Sequence, residues 1–134
     1  MKYKVMIVED QTMPRELFEL RIQSSEHFET ALSIDNASLA EVYCLRFPVD
    51  LILMDVVTRN GENGLDAAAK IKRAFPQIKI IIVTSMPEYS YLSRAREIGV
   101  ESFWYKEEQR ESLLDVMERT MAGESGRNFS RGLL

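Results

Sequence analysis

The chain has 134 residues, of which 46% are hydrophobic and 28% charged, and its formal net charge is −4. This length corresponds to one domain, and without a basic surplus these residues are not expected to bind nucleic acid themselves. One cysteine and one histidine exclude a disulfide framework and a multi-histidine metal site within the sequence. Because no apolar run approaches a membrane span and no signal peptide is evident, we expect a cytoplasmic protein without membrane contact.

Short apolar runs alternate with helical patterns along the first part of the chain. Val5–Val8 predicts a first strand, and Thr12 is placed to cap the helix that follows. The apolar face of that helix carries Met13, Leu17 and Leu20, together with Ser24. Thr30–Ile34 predicts a second and weaker strand.

A second helix is predicted to open with a capping box formed by Ser38 and Glu41. Its inward side chains are expected to be Leu39, Val42 and Tyr43. Pro48 ends this helix, and Val49–Met54 predicts a third strand that leads directly into Asp55. Residues 58 to 64 are dense in turn-forming types and predict a loop.

The second half of the chain repeats the alternation. A third helix is marked by Leu65, Ala68, Ile71 and Phe75. Ile78–Val83 predicts a strand buried on both faces, followed by Thr84, and a fourth helix is expected to end at Gly99. Ser102–Tyr105 predicts a fifth strand, followed by Lys106. The last helix carries an apolar stripe of Leu113, Val116, Met117, Thr120 and Met121.

Five strand–helix units in this order predict an α/β fold with a parallel sheet and helices on both faces. We expect a doubly wound, flavodoxin-like sheet of five strands in the order 2-1-3-4-5. The expected domain covers residues 1–122. Residues 123–134 are rich in Gly and Ser and are expected to be a linker or a disordered tail.

Polar side chains follow four of the predicted strands, namely Glu9 and Asp10, Asp55, Thr84 and Lys106. Ligands of open α/β sheets bind at the carboxyl ends of the strands, where we expect these side chains to converge. Three neighbouring carboxylates repel one another unless a cation lies among them, and an all-oxygen ligand set suits Mg²⁺. A carboxylate nucleophile, a metal ion, a lysine and a hydroxyl together fit phosphoryl transfer onto an aspartate.

Four short segments resemble the receiver domains of bacterial two-component response regulators. They are Val8-Glu9-Asp10, Leu53-Met54-Asp55, Val83-Thr84-Ser85 and Tyr105-Lys106. Each segment is short, but all four occur in order, and each lies at the end of a predicted strand. The resemblance covers about residues 3 to 122, which is nearly the whole chain.

The resemblance implies a role for each matching residue. Asp55 would accept a phosphoryl group from the phosphohistidine of a sensor histidine kinase. Mg²⁺ would be held by Glu9, Asp10 and Asp55 and by the backbone carbonyl of Val57. Lys106 would contact the phosphoryl group.

A conformational switch is also implied by the resemblance. Thr84 matches a hydroxyl that moves to the phosphoryl group, and Phe103 matches an aromatic ring that follows it inward. Phosphorylation would then be read out on the face formed by the fourth helix, the fifth strand and the last helix. A homodimer through this face, or through the last helix alone, is an expectation of the same kind.

The sequence departs from the family pattern after the phosphoacceptor. Receivers usually have Met-Pro three and four residues after that aspartate, where this chain has Thr58 and Arg59. The loop before Asn63 is about one residue longer than usual, and Glu107 stands where a proline often follows the lysine. These differences leave the chemistry in place and bear on the geometry of the loop.

Residues 99–103, 106–107 and 121–124 look like those of receivers joined to LuxR-type helix-turn-helix domains. We therefore expect a phosphorylation-activated signalling switch, the N-terminal receiver part of a DNA-binding transcriptional regulator. DNA would be contacted only through an output domain that these residues do not include. The alternative is a complete single-domain regulator that acts by protein–protein contact. In either case the only expected chemistry is Mg²⁺-dependent self-phosphorylation and autodephosphorylation of Asp55.

Two other functional classes require residues that differ from those of the switch. Haloacid-dehalogenase-like phosphatases, which form an aspartyl-phosphate, carry a D-x-D pattern at the nucleophile. The corresponding segment here, Asp55-Val56-Val57, lacks the second aspartate. A flavodoxin-like cofactor binder needs a Ser/Thr/Gly-rich phosphate loop after the first strand. Glu9-Asp10-Gln11 occupies that place and would repel a phosphate in the absence of a metal ion.

Overall fold

The computed structural model of the chain describes residues 1–86, 88–107 and 111–123, together with the backbone of residues 128–129. The strands of its parallel sheet are β1 Tyr3–Val8, β2 Phe28–Ile34, β3 Leu51–Asp55, β4 Lys79–Thr84, β5 Ser102–Tyr105 and β6 Asn128–Phe129. The helices are α1 Thr12–Gln23, α2 Ala40–Arg46, α3 Gly64–Ala74, α4 Tyr89–Ile98 and α5 Leu113–Met121. Short 3-10 helices lie at Ala37–Leu39 and Arg59–Gly61.

The strand order is β2-β1-β3-β4-β5-β6. The predicted order of the first five strands, 2-1-3-4-5, is therefore confirmed. The sequence did not predict β6, because two residues are too few to produce an alternating pattern. It pairs with β5 at Ser102 and Phe103. Residues 124–127 and 130–134 lie outside the described residues, so the linker assigned to 123–134 stays a prediction.

The sheet separates the core into two layers, because neighbouring side chains of a strand point to opposite faces. One layer, packed against α2, α3 and α4, takes from the strands Met6, Val8, Ile52, Met54, Ile80, Ile82 and Phe103. The other layer, packed against α1 and α5, takes Val5, Ile7, Leu51, Leu53, Ile81, Val83 and Trp104. Every residue of β3 is buried, as expected of a central parallel strand.

The α1 helix turns its most apolar stripe outward. Phe18 and Ile22 are buried in the core, whereas Met13, Leu17 and Leu20 are exposed. Both sets have helical spacing, so periodicity does not choose between them; packing against the sheet does. The helix begins at Thr12 with Gln11 in the cap position and no side-chain cap, which corrects the assignment of Thr12 as the cap.

The α2 region also differs from the prediction in its inward face. Leu39 and Val42 are exposed, and the buried side chains are the small ones, Ala37, Ala40 and Cys44. Tyr43 packs partly against the core as expected. Small side chains allow the helix backbone to lie close to its neighbours, which a pattern of bulky apolar residues does not reveal. The predicted Ser38–Glu41 capping box is wrong: α2 begins after Leu39 without a side-chain cap, and Asn36 caps the preceding 3-10 helix by accepting a hydrogen bond from the Ser38 N–H.

The remaining helices follow their predicted stripes. Leu65, Ala68 and Ile71 of α3 are buried, as are Leu113, Val116, Met117 and Thr120 of α5. Gly99 ends α4 in the left-handed conformation, with φ of 88°, as expected of a glycine cap. Among the described residues, no helix is long and apolar enough to cross a membrane.

Replacing Phe18 by Ala tests the face that α1 buries. Phe18→Ala should lower the free energy of unfolding by about 3–5 kcal/mol, because it leaves a cavity against the sheet. Leu20→Ala is the matched control on the exposed stripe and should change it by no more than about 0.5 kcal/mol. Urea unfolding measures both variants. Equal losses for the two would contradict the assignment of the buried face.

Candidate functional site

The predicted polar residues meet at the carboxyl edge of the sheet because the parallel strands end together. Asp55 ends β3, and Thr84 ends β4 opposite Tyr105 of β5. Lys106 follows β5, and its N–H donates to the carbonyl of Thr84 at 2.8 Å. Glu9 follows β1 at the same edge of the sheet.

Three carboxylates form the centre of this site. One oxygen each from Glu9, Asp10 and Asp55 lies within 4.8 Å of the other two. Glu9 is fully buried and Asp55 nearly so, while Asp10 is half-buried. A set of hard carboxylate oxygens at this separation, open to solvent on the Asp10 side, suits Mg²⁺, which binds through a few carboxylates and retains water. The donor set therefore fits the ion expected from the sequence.

A single ammonium group bridges two of the carboxylates. The Nζ of Lys106 lies 2.5 Å from Oε1 of Glu9 and 3.3 Å from Oδ2 of Asp55. Its side chain is largely buried, so water screens these contacts little. One positive charge thus partly compensates the negative charge of two buried acids, and Asp10 adds a third acid beside them.

The environment of Asp55 disfavours its ionised form. Burial, followed by the neighbouring charge of Glu9, raises the pKa of Asp55 to about 7, although the Lys106 ammonium opposes the shift. The physical reason is that a buried carboxylate loses hydration and is repelled by a second carboxylate. A cation that binds at this point relieves both effects.

The backbone around Asp55 is held by α3. Oδ1 of Asp55 accepts the N–H of Val56 at 2.8 Å, and the carbonyl of Val56 accepts the N–H of Gly64 at 2.6 Å. A Cβ atom on residue 64 would lie 1.8 Å from the carbonyl oxygen of Asp55, so only glycine permits this approach. The first residue of α3 therefore fixes the end of β3.

Thr84 and Phe103, the predicted switch residues, are both buried. The hydroxyl of Thr84 accepts the N–H of Met86 at 3.1 Å. Phe103 pairs with Ile82 across the sheet and packs in the layer of α2, α3 and α4. Trp104 lies in the opposite layer, so the two rings face different sides of β5.

Sequence reasoning missed several residues that support the site. The carbonyl of Glu9 accepts a hydrogen bond from the Arg15 guanidinium at 3.2 Å, and its carboxylate accepts the N–H of Gln11. A signal for Gly64 was present in the sequence. Glycine disfavours a helix, and Gly64 is the first residue of α3 while Asn63 is its cap, so a glycine here indicates a close backbone contact. Thr58 is buried, and no sequence pattern predicts a buried threonine in a polar loop.

A largely apolar groove runs beside the site. The residues that line it include Met13, Pro14, Leu17, Phe18, Arg21 and Trp104, together with Ser85 and Lys106. The exposed stripe of α1 is therefore continuous with the site. The Nε1 of Trp104 donates to the carbonyl of Glu111 at 3.0 Å, which fixes the ring at the floor of this groove.

Comparison with known proteins matches the chain to one family. The family model described as "Response regulator receiver domain" matches residues 5–118. "Response regulator protein VraR" of Staphylococcus epidermidis is 30% identical over 125 residues, which cover 93% of this chain and 59% of that protein. The chain thus spans less than two thirds of the length of that curated relative.

Solved structures agree with this match. A DNA-binding response regulator of the LuxR family from Staphylococcus aureus has a TM-score of 0.80 and 26% identity, with coverage of 88% of this chain and 98% of that one. A LuxR-family two-component response regulator from Aurantimonas sp. SI85-9A1 has a TM-score of 0.86 at 21% identity, covering 93% and 89% of the two chains, and supports the fold.

Replacing Asp55 by Asn tests the electrostatic conflict in the site. Because the pKa of Asp55 lies near 7 in the folded chain and at 3.8 ordinarily, the folded chain holds an extra proton between these values. Its free energy of unfolding therefore falls as pH rises from about 4 to about 7. The free energy of unfolding of Asp55→Asn should not fall in this way. Above pH 7 it should be about 1–3 kcal/mol higher than that of the wild type, and near pH 5 the difference should be smaller.

Urea unfolding in EDTA at pH 5 and pH 8 measures the difference. Asp66→Asn, which changes an exposed aspartate on α3, is the control and should show no such pH-dependent gain. A gain for Asp55→Asn that is the same at both pH values would argue against the raised pKa.

Proposed function

The chain belongs to the response regulator receiver family, and we propose that it is a switch that accepts a phosphoryl group on Asp55 from a sensor histidine kinase. The observation that carries this proposal is the buried Asp55 carboxylate beside Glu9, Asp10 and Lys106. Among the described residues, these three acids form the one cluster of this kind, and Asp55 is the aspartate in it whose carboxylate contacts Lys106. A cytoplasmic location is part of the proposal, because ATP-dependent kinases supply the phosphoryl group there.

In the proposed reaction, an oxygen of Asp55 attacks the phosphorus of a phosphohistidine, and an O–P bond forms as the N–P bond breaks. The electron pair of the broken bond stays on the histidine nitrogen of the kinase. Glu9, Asp10, Asp55 and the Val57 carbonyl would hold Mg²⁺, which supplies positive charge to the transferring phosphoryl oxygens. Attack of water on the phosphorus of the product would break the O–P bond, release inorganic phosphate and return Asp55 to its carboxylate.

Lys106 is proposed to change partners during this reaction. The ammonium of Lys106 now contacts Glu9 and Asp55, and its backbone N–H donates a hydrogen bond to the carbonyl of Thr84. A phosphoryl group on Asp55 adds negative charge within reach of the same ammonium. Lys106 would therefore stabilise the phosphorylated form without moving far along the edge of the sheet.

The groove beside α1 is proposed as the place where the kinase segment that carries the phosphohistidine docks. A donor protein must bring its histidine to Asp55, and the groove with its exposed Met13 and Leu17 is also lined by Lys106, which contacts Asp55. Apolar side chains at this position offer area to bury on contact. This gives a physical reason for the outward stripe of α1.

The proposed output begins at Thr84 and Phe103 and ends on the face of α4, β5 and α5. Movement of the Thr84 hydroxyl toward a phosphoryl oxygen would break its bond with Met86, the second residue beyond β4 on the way to α4. A homodimer through this face, or through α5 alone, is part of the proposal. For the whole protein we propose transcriptional regulation through a LuxR-type output domain, and the similarity to a DNA-binding response regulator of the LuxR family supports this proposal.

Acetyl phosphate with Mg²⁺ should add one phosphoryl group to the intact chain, because a small donor bypasses the kinase. Asp55→Asn should abolish the addition, whereas Asp66→Asn, which alters an exposed aspartate paired with Arg94, should retain it. Intact-mass spectrometry measures the product. Equal labelling of Asp55→Asn and wild type would refute Asp55 as the acceptor.

Thr84→Ala should still be phosphorylated on Asp55 but should lose the conformational response. The reason is that the methyl side chain has no hydroxyl to follow the phosphoryl group. Beryllofluoride with Mg²⁺ serves as the phosphoryl mimic, and Trp104 fluorescence and the amide chemical shifts of residues 84–106 report the response. Thr30→Ala, on the exposed edge strand, is the control and should respond as wild type does. An unchanged spectrum in the wild type would refute this output path.

A further inference from the structure

The loop after the proposed phosphoacceptor is tied by a buried hydroxyl to the 3-10 helix that follows β2. Oγ1 of Thr58 accepts the N–H of Ala37 at 2.9 Å and donates to the carbonyl of Glu62 at 2.9 Å. Thr58 is 2% exposed, although both neighbours in the loop, Val57 and Arg59, are exposed. We refer to these two bonds of the Thr58 hydroxyl as the Thr58 clamp.

A second tie reinforces the clamp at the next residue. The backbone N–H of Arg59 donates to the carbonyl of Asp35 at 2.9 Å, and its guanidinium lies 2.7 Å from the Asp35 carboxylate. The loop then closes on itself through Asn60 and Gly61, both with positive φ. The loop is thus bound on one side to the segment after β2 and on the other to its own far end.

The clamp bears on the site through one intervening residue. Val57 lies between Val56, whose carbonyl is bound to Gly64, and Thr58, whose hydroxyl is bound to Ala37. A β-bridge also pairs Val57 with Asn63. With both neighbours anchored, the peptide group of Val57 has little freedom to rotate.

We propose that Thr58 is a positioning residue that holds the backbone carbonyl of Val57 where the metal ion would be bound. The inference rests on the proposed function, since it presumes the Mg²⁺ site of Glu9, Asp10 and Asp55. A hydroxyl performs this task because it accepts one backbone bond and donates another. The Met usual at this position in receivers has no group that could do both.

A purely structural role for Thr58 makes a different prediction from a positioning role. Removing the hydroxyl leaves the buried N–H of Ala37 without its acceptor, which destabilises the fold in either case. Only the positioning role also weakens the affinity for Mg²⁺, because groups that orient a metal ligand affect binding by about tenfold or more. The dissociation constant of Mg²⁺ is therefore the decisive quantity.

Calorimetric titration with MgCl₂ should give a dissociation constant about tenfold higher for Thr58→Val than for the wild type. Thr58→Ser keeps the hydroxyl and should restore nearly the wild-type constant. Thr120→Val is the matched control: its buried hydroxyl contacts Ser102 and Val116, with Ser102 at the opposite end of β5 from the site. That variant should lose stability in urea and keep the affinity for Mg²⁺.

Hydrogen exchange of the wild type tests the same coupling without a substitution. If the clamp favours Mg²⁺ binding, then Mg²⁺ must favour the clamp by the same factor. The Ala37 amide, bound to Thr58, should exchange more slowly in saturating MgCl₂. The neighbouring Ser38 amide, bound to Asn36, should slow much less.

The possible failures are distinct. A lower stability of Thr58→Val with an unchanged dissociation constant would overturn the positioning role and leave the proposed function intact. Equal slowing of the Ala37 and Ser38 amides would also overturn it, and this holds even if Thr58→Val does not fold. A wild type that takes up no Mg²⁺ would overturn the metal site itself and this proposal with it.

Discussion

The carboxylates of Glu9, Asp10 and Asp55 lie within 4.8 Å of one another, and the ammonium of Lys106 contacts two of them. This excess of negative charge in a nearly buried site is unfavourable by itself, and burial, followed by the charge of Glu9, raises the pKa of Asp55 to about 7. A divalent cation would compensate this negative charge, and it would also attract the oxygens of the phosphoryl group that we propose on Asp55. The charge imbalance therefore links stability, metal binding and the proposed chemistry.

Such a cluster persists only because the rest of the fold supplies the stability that it removes. The central strands β1 and β3 carry fully buried apolar side chains on both faces. Gly64 lets α3 approach the backbone of Asp55 more closely than any side chain would allow. The carboxylates are thus held by a rigid edge, and they cannot move apart without disturbing the core.

The α1 and α2 helices explain why a helical pattern predicts a helix better than it predicts the buried face. In α1, two stripes have helical spacing, and the one that contains Phe18 is buried. In α2 and the turn before it, small residues such as Ala40 and Cys44 face the core, while Leu39 and Val42 face outward. Both outward stripes leave apolar area on the surface, and that of α1 borders the site. Contact with the sheet decides which face of each helix is buried, and the residues of the helix alone do not indicate that contact.

The sequence by itself determined the alternation of strands and helices, the positions of the polar residues after each strand, and the family of the chain. These depend on local patterns and on short segments such as Leu53-Met54-Asp55, which are read directly. The tertiary structure alone decided which helix faces are buried, the pairing of β6 with β5, the contact of Lys106 with two acids and the bond from Thr58 to Ala37. These features join residues far apart in the chain, up to 97 positions for Lys106 and Glu9, so their geometry exists only once the sheet has formed.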